Sequence, residues 1–596
     1  MEPLLLAQEG RTDFTLVLSS HPTPAQAFAG KEFARLFYEI TKASLPLRTQ
    51  KDPVHPKEIV LGLGVRPCLR PEPLEPALWG EEGYCIYGDS RQLYIAANSD
   101  RGLLYGVYGF FEDYLGCRWF TETLRRIPKR DRLLLSPIDA WSKPAFSFRK
   151  TAFADSDSWE FSLPNRLNAR LRPDPSPEHG GEMGYAIGFC HTLDQIIPDS
   201  LYDAHPEYFP MDQTGRRIHG PHTQRCLSNP QVLALTIQAV REGFRADPEA
   251  KIASVTQADT YPEAPNNCQC PQCRKIDQEE ASPAGSFLRY VNAVAQAVEE
   301  EFPDRYIDTF AYHYTRKPPK LTKPRHNVIV RLCSIECCFS HPLEGCSDAY
   351  RCPGIGTVDT PAFVQDLKEW AAMGDQEDGG LHLHIWDYVV NFVHYLAPHP
   401  NLHCFQDNLR FYRDHHVVGV YPEGAPDGRG SDMAQLKAYL LAKLQWNPDY
   451  DVEQGVWEFL QAYCGAGAKP IWDYLQELNA KPEREGRHMC CYEPPTRDFF
   501  TPEFMAFANR CFDRAETLAE DQQTLDRIRY WRMGIRYIQL WLYADQFSEE
   551  ELREEFVDFF ALCKGYGIHT LSEGGSYGGS MLRMEEQIQK QRAQAQ

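Results

Sequence analysis

VIVRLCSIE, residues 328–336, is apolar over most of its length and ends on a carboxylate. A (β/α)8 barrel enzyme needs strands of this kind, because the βα loops at their C-terminal ends build the active site. The design recurs through the middle third of the chain: AIGFCHT at His191, IASVTQAD at Asp259, IDTFAYHYT at His313 and Tyr314, LHLHIWDY at Asp387, and VVGVYPEG at Glu423. Helical patterns such as NPQVLALTIQAVREGFRA (229–246) and GSFLRYVNAVAQAVEEEF (285–302) separate them, the alternation that implies a parallel sheet with crossover helices. The pattern places seven strands near Phe148, Ala186, Ala253, Thr309, Ile329, Leu383 and Val418, and gives no clear eighth. Segment 171–225, rich in Pro, Gly and His, is too long for a bare connection and reads as a substrate-facing excursion.

Upstream, FTLVLS, AQAFAGKEFARLFYEIT, EIVLGLG and GYCIYGDSRQLYIAA alternate strand and helix signals. Downstream of Ser431, MAQLKAYLLAKLQW and its successors carry helical periodicity alone, and the polar EEQIQKQRAQAQ at the end is expected to fray. The expected class is therefore α/β: a small N-terminal α/β domain (1–140), a (β/α)8 TIM-like barrel (141–430) and a C-terminal helical region (431–596).

Composition narrows the function. A formal charge of −21 with no long basic run argues against a nucleic-acid partner. No run of roughly 18 apolar residues is present, so no membrane span is expected. The start, MEPLLLAQEGRTDF, lacks a basic n-region, which reads as cytoplasmic, or as secreted or periplasmic if a signal has been removed. Nineteen cysteines, an odd number that includes the pairs Cys337-Cys338 and Cys490-Cys491, look like reduced thiols and not a disulfide framework. Cys268, Cys270 and Cys273 form C-x-C-x-x-C, three ligands of a structural zinc site whose fourth must come from elsewhere, with Cys346, Cys352 or a His as candidates. Phosphate-loop, nucleophile-elbow and H-E-x-x-H motifs are absent, and no cofactor is required for catalysis.

Glu336 and Glu423, each following a β-rich run, are the candidate catalytic pair. Glycoside hydrolysis commonly uses two carboxyl groups, one to protonate the leaving oxygen and one to attack or activate water. Asp259 and Asp387 could bind sugar hydroxyls or orient a 2-acetamido group. His191, Tyr312, His313, Tyr314, Trp386 and Tyr388 would wall the subsites. An oligosaccharide is the expected partner, and the oligomeric state is left open. Two other classes compete: a carbohydrate-binding protein without catalysis and a metal-braced interaction protein.

The ordered segments FCHTLDQIIP, AHPEYFPMDQTGRR, QRCLSNPQV, TQAD…CQCPQC, AYHYTRKPPK, NVIVRLCSIECCFSHPL, IWDYVVNFVHYL and GVYPEGA resemble the bacterial DUF4838 proteins, which overlap glycoside hydrolase family 163. The resemblance spans roughly residues 145–450. The N-terminal part is similar to the α/β domain preceding the barrel in α-glucuronidases and β-hexosaminidases. The resemblance implies an endo-β-N-acetylglucosaminidase that cuts the chitobiose core of complex N-glycans by a retaining route, with Glu336 and Glu423 as active-site carboxylates. Alternatives are an exo-acting β-hexosaminidase or an α-glucuronidase-like glycosidase. The resemblance does not divide the roles of the two glutamates. Analogy with barrel glycosidases whose nucleophile ends strand seven makes Glu423 the nucleophile and Glu336 the acid/base.

Overall fold

The computed structural model describes residues 3–170, 176–261, 266–347, 349–352, 355–374, 382–426 and 428–595. The chain forms two compact units, one of Met1–Glu182 with Gln435–Gly465 and the other of Met183–Ala434 with Ala466–Gln596. The boundaries expected at 140 and 430 fall elsewhere, because residues 435–465 complete the core of the first unit. Trp446 is buried there, stacked on Tyr84 at 5.9 Å and edge-on to Tyr105 at 5.6 Å.

In the first unit, strands β1 (Thr15–Leu18), β2 (Leu47–Thr49), β3 (Glu58–Leu61), β4 (Tyr84–Gly88), β5 (Gln92–Ala97) and β6 (Ile138–Ser142) form one sheet in the order β6-β4-β5-β3-β1-β2. Helix α1 (Pro24–Thr41) starts at a capping box in which Thr23 and Gln26 bond each other's backbone, and it buries Phe33, Leu36, Phe37 and Ile40. Helix α2 (Asp100–Asp113) lies close to the sheet through Gly109, where a Cβ would stand 2.2 Å from the Tyr84 hydroxyl.

The second unit is built on five parallel strands, hydrogen-bonded in sequence order: β7 (Ile252–Ser254), β8 (Tyr306–Ala311), β9 (Val328–Cys333), β12 (His382–Tyr388) and β13 (Val417–Glu423). Strands β10 (Ala349–Cys352) and β11 (Gly356–Asp359) form a separate antiparallel hairpin after β9. The strand expected near Ala186 is a single parallel bridge from Tyr185 to Ile252, and the one near Phe148 is present as two residues, Phe148–Arg149, at the edge of this sheet. No eighth strand follows β13 among the described residues, where the chain passes into helix α8 (Ala434–Trp446). The architecture in this unit is thus a curled half-barrel, and a closed (β/α)8 barrel is not seen among the described residues.

The curl is visible at Arg331 of β9, which is 1% exposed. Its guanidinium lies over the rings of Phe189 (4.2 Å), Phe310 (5.2 Å) and Trp386 (5.6 Å), and its Nε donates to Asp308 at 2.9 Å. Side chains from the neighbouring strands β8 and β12 thus meet the Arg331 side chain on one face of the sheet. Gly419 serves the same closeness, since a Cβ there would lie 2.5 Å from the His384 ring.

After residue 466 every element of this unit is helical: α10 (Ala468–Glu485), α11 (Pro502–Thr517), α12 (Gln522–Tyr543), α13 (Glu549–Gly565) and α14 (Tyr577–Ala595), with α9 (Val452–Cys464) in the first unit. Helix α14 runs through the polar C-terminal stretch as far as Ala595. A disulfide joins Cys352 to Cys490, correcting the all-thiol expectation, while the other 17 cysteines are thiols. Among the described residues no helix is long and apolar enough to cross a membrane.

Candidate active site

Side chains of a strand alternate between faces, so β13 sends Gly419, Tyr421 and Glu423 to the concave side. Glu423, 8% exposed, ends the strand and accepts a 2.7 Å hydrogen bond from the indole N–H of Trp386 on β12. Tyr388, paired in register with Glu423, is 7% exposed on the same face. Trp386 in turn packs edge-on to Tyr421 at 4.7 Å and to Phe310 at 5.5 Å. The result is a carboxyl held in a ring-lined recess.

Glu336 lies three residues beyond the end of β9. Its Oε1 accepts from His313 Nδ1 at 2.7 Å and its Oε2 from the Arg316 guanidinium. Burial alone would push this carboxyl up, but the His313 hydrogen bond and the Arg316 charge outweigh it and hold the group below the usual glutamate range. Arg316 is fixed from behind by Asp366 at 2.8 Å. Glu336 is therefore a carboxylate kept ionised.

From His313 a run of polar and aromatic groups leads through Tyr312 and Asp259 to His191 and His222. Tyr312 lies against His313, the rings tilted by 39° with centres 3.9 Å apart, and donates to Asp259 at 3.3 Å. Asp259, half exposed, stands 4.0 Å from His191 Nε2 and 3.8 Å from His222 Nδ1. His191 is oriented by a 2.9 Å contact of Nδ1 with the Gln257 carbonyl. His191, His222 and His313 all adopt left-handed backbone, with φ of 50°, 60° and 51°. Non-glycine residues pay about 1–3 kcal/mol for that conformation, and such strain concentrates at functional sites.

Two sequence candidates go elsewhere. Asp387 occupies the opposite face of β12 from Trp386 and Tyr388, where Ser334 donates to it at 2.7 Å and the Tyr412 hydroxyl on helix α7 (Phe405–Asp414) reaches it. Burial pushes it up to about 6. Tyr314 turns from His313 toward Asp277 and Cys273. Three residues join the site that the sequence did not suggest: His222 and Arg316, which sit in turns without periodic pattern, and Tyr492 of the C-terminal part. Burial raises the Tyr492 phenol, with Cys491, Glu573, Glu423 and Asp259 adding to the effect, so its hydroxyl shares the field of the site. Its ring stacks on Phe392 at 6.0 Å.

The C-x-C-x-x-C thiols meet a fourth, Cys226, and the four sulfurs lie within 4.8 Å of one another. Cys226 and Cys270 are 3.8 Å apart, the edge expected of a tetrahedron with zinc–sulfur bonds of about 2.3 Å. Cys270 also caps helix α4 (Pro271–Glu280), accepting from the Cys273 backbone, and Met211 N and Arg217 point at Cys268. The fourth side chain of this group is none of the expected Cys346, Cys352 or His: Cys352 is in the disulfide, and Cys226 is 42 residues before Cys268, beyond any spacing rule.

A family model described as a domain of unknown function, DUF4838, matches residues 119–476. The chain belongs to the DUF4838 family. No curated protein matches it. Among solved structures, a GH138 enzyme targeting pectin rhamnogalacturonan II is similar over 98% of this chain and 99% of its own, at 10% identity and a TM-score of 0.52, a likeness of fold. The GH20 β-N-acetylhexosaminidase of Streptomyces coelicolor A3(2) matches at 13% identity over 77% of this DUF4838 chain and 92% of its own, with a TM-score of 0.41. CpGH84B matches at 10% identity over 99% and 97%, with a TM-score of 0.43.

Proposed function

We propose that this DUF4838 protein is a glycoside hydrolase whose catalytic carboxyl groups are Glu336 and Glu423. The observation that carries the reading is the unequal housing of the two glutamates: Glu336, just past the end of β9, is pinned by His313 and Arg316, and Glu423, at the end of β13, is bonded to Trp386 in a ring-lined recess. Glycosidases need such a difference, because one carboxyl must be ionised while the other carries a proton. The charge on Arg316 favours Glu336 as the ionised member, attacking the sugar or stabilising the positive charge that develops on it. Glu423 then protonates the leaving oxygen. This reverses the division suggested by strand position, since a cationic neighbour acts on the proton directly and strand order does not. Trp386, Tyr388 and Tyr492 offer ring faces for the sugar, and Asp259 with His191 and His222 supplies hydroxyl or acetamido contacts at the mouth.

The finer reading, an endo-β-N-acetylglucosaminidase cutting the chitobiose core of complex N-glycans with retention, rests on the resemblance to glycoside hydrolase family 163. It is tested by incubating the protein with defined N-glycoproteins, free chitobiose-terminated glycans and pectic oligosaccharides and weighing the products. Release of glycans one N-acetylglucosamine shorter is expected. Single-sugar release favours an exo-acting enzyme, and inert substrates with bound sugar a lectin-like role. Within an active enzyme, Glu336→Gln abolishes turnover on every substrate, while Glu423→Gln retains turnover of an aryl glycoside whose phenolate leaves unaided, because acid help of about 10²–10⁴-fold is needed only for poor leaving groups. Reversed phenotypes would return the roles to the strand-position assignment.

The Cys226, Cys268, Cys270 and Cys273 group supports a structural zinc with no part in catalysis. Cys226→Ser is expected to remove one equivalent of zinc, and an unchanged metal content would exclude the site.

A further inference from the structure

A second group of soft ligands lies directly after Glu336 and belongs to no part of the proposed chemistry. Cys338, His341, Cys346 and His488 each present one ligand atom, and these atoms lie within 4.8 Å of one another. Cys338 Sγ is 3.4 Å from His341 Nδ1, and Cys346 Sγ is 3.5 Å from His488 Nδ1. For zinc–sulfur bonds of about 2.3 Å and zinc–nitrogen bonds of 2.0–2.1 Å, the sulfur–nitrogen edge of a tetrahedron is about 3.6 Å. Two thiol–imidazole hydrogen bonds would explain each short edge separately. They would not draw the two pairs together, yet the His341 and His488 rings stand 4.4 Å apart.

The backbone builds this convergence. Phe339 N donates to the Met489 carbonyl at 2.8 Å, Met489 N to Ser340 Oγ at 3.2 Å, and Ser340 Oγ to the Arg487 carbonyl at 3.1 Å. Residues 487 and 489 are thereby laced to residues 339 and 340, which leaves His488 facing Cys338 and His341. Cys338 N is held by Thr360 Oγ1 at 2.8 Å. Cys338 and Cys346 are 0% and 6% exposed. A preassembled set of two buried thiols and two half-buried imidazoles is a zinc-type donor set, closed by four protein ligands as structural sites are.

We propose that Cys338, His341, Cys346 and His488 bind a structural zinc ion that ties the loop after Glu336 to the segment preceding Tyr492. The inference stands independently of the glycosidase reading. Asp359 N donates to the Glu336 carbonyl at 2.8 Å, so the metal would anchor the stretch whose backbone fixes Glu336. The test is an anomalous difference map at the zinc edge on crystals of the wild-type protein grown with zinc, joined to zinc analysis of the full-length protein. A peak among the four side chains, about 2.3 Å from both sulfurs and 2.0–2.1 Å from both imidazoles, is expected. His488→Ala should lower zinc by one equivalent relative to wild type, an effect that Cys226→Ser leaves in place, and His488→Cys should restore it. No peak at this position, or a zinc content that His488→Ala does not change, overturns the proposal. The map needs no variant, so the result stands even if a substituted chain fails to fold.

Discussion

At the scale of single residues, the site turns on how Glu336 is kept charged. Burial opposes ionisation there, and the His313 hydrogen bond with the Arg316 charge reverses the balance. For a carboxyl whose folded pKa is depressed, the favourable interaction is present above the unfolded value, near pH 4.3, and is lost as pH falls through the folded one. Arg316→Gln removes the cation while leaving the burial, so the carboxyl rises. The acid limb of the rate profile should move to higher pH and kcat/KM should fall by about 10-fold or more, the scale of one charge-assisted hydrogen bond. A profile that does not move would show that Arg316 only props Asp366. The strands that precede Glu336 and end on Glu423 were legible in the sequence because each is an apolar, β-branched run. Arg316 and His222 were not, since a turn has no period to read. Tyr314 was misplaced because it follows His313 in a tight turn, where neighbouring side chains diverge.

At the scale of elements, strand alternation separates what LHLHIWDY seemed to offer together. Trp386 and Tyr388 share one face of β12, so Asp387 must take the other, and it lies against α7 beside Ser334 and Tyr412. The period of two was present in the sequence, but the chemical appeal of a carboxylate between two rings concealed it. Asp387 yields a prediction of the opposite sign to Glu336. Its folded pKa of about 6 exceeds the unfolded value, so its stabilising contribution is complete below about pH 3.9 and is lost as pH rises to about 6. The cost of ionising it corresponds to about 2–3 kcal/mol at neutral pH. Asp387→Asn should therefore gain stability relative to wild type between pH 4 and pH 6, followed by denaturant midpoints. A difference that stays flat across that range would mean that the carboxyl titrates normally. The sequence likewise showed the strands β7, β8, β9, β12 and β13 through their apolar runs, while the region near Ala186 shrank to one bridge because Gly184 and Gly188 bracket it and Gly188 takes left-handed backbone that ends an extended run.

At the scale of the molecule, the parallel sheet, the N-terminal α/β sheet and the helical C-terminal part were all legible from periodicity, whereas the partition into units was not. Residues 435–465 look like the other helices in sequence, and only the contacts of Trp446 and Lys443 show where they belong. Lys443 lies buried beside Glu112, which also receives Arg166 at 2.8 Å. The first unit is thus written in two instalments, with its closing piece translated after an entire intervening body. At 5–20 residues per second, the roughly 280 residues between Glu182 and Gly465 take about 15–60 s to emerge. Throughout that interval the nascent N-terminal sheet has the partners of Trp446 uncovered and the charge of Glu112 without its lysine. Translation therefore imposes a waiting period on the first 182 residues, during which the surface that Trp446 later covers stays open.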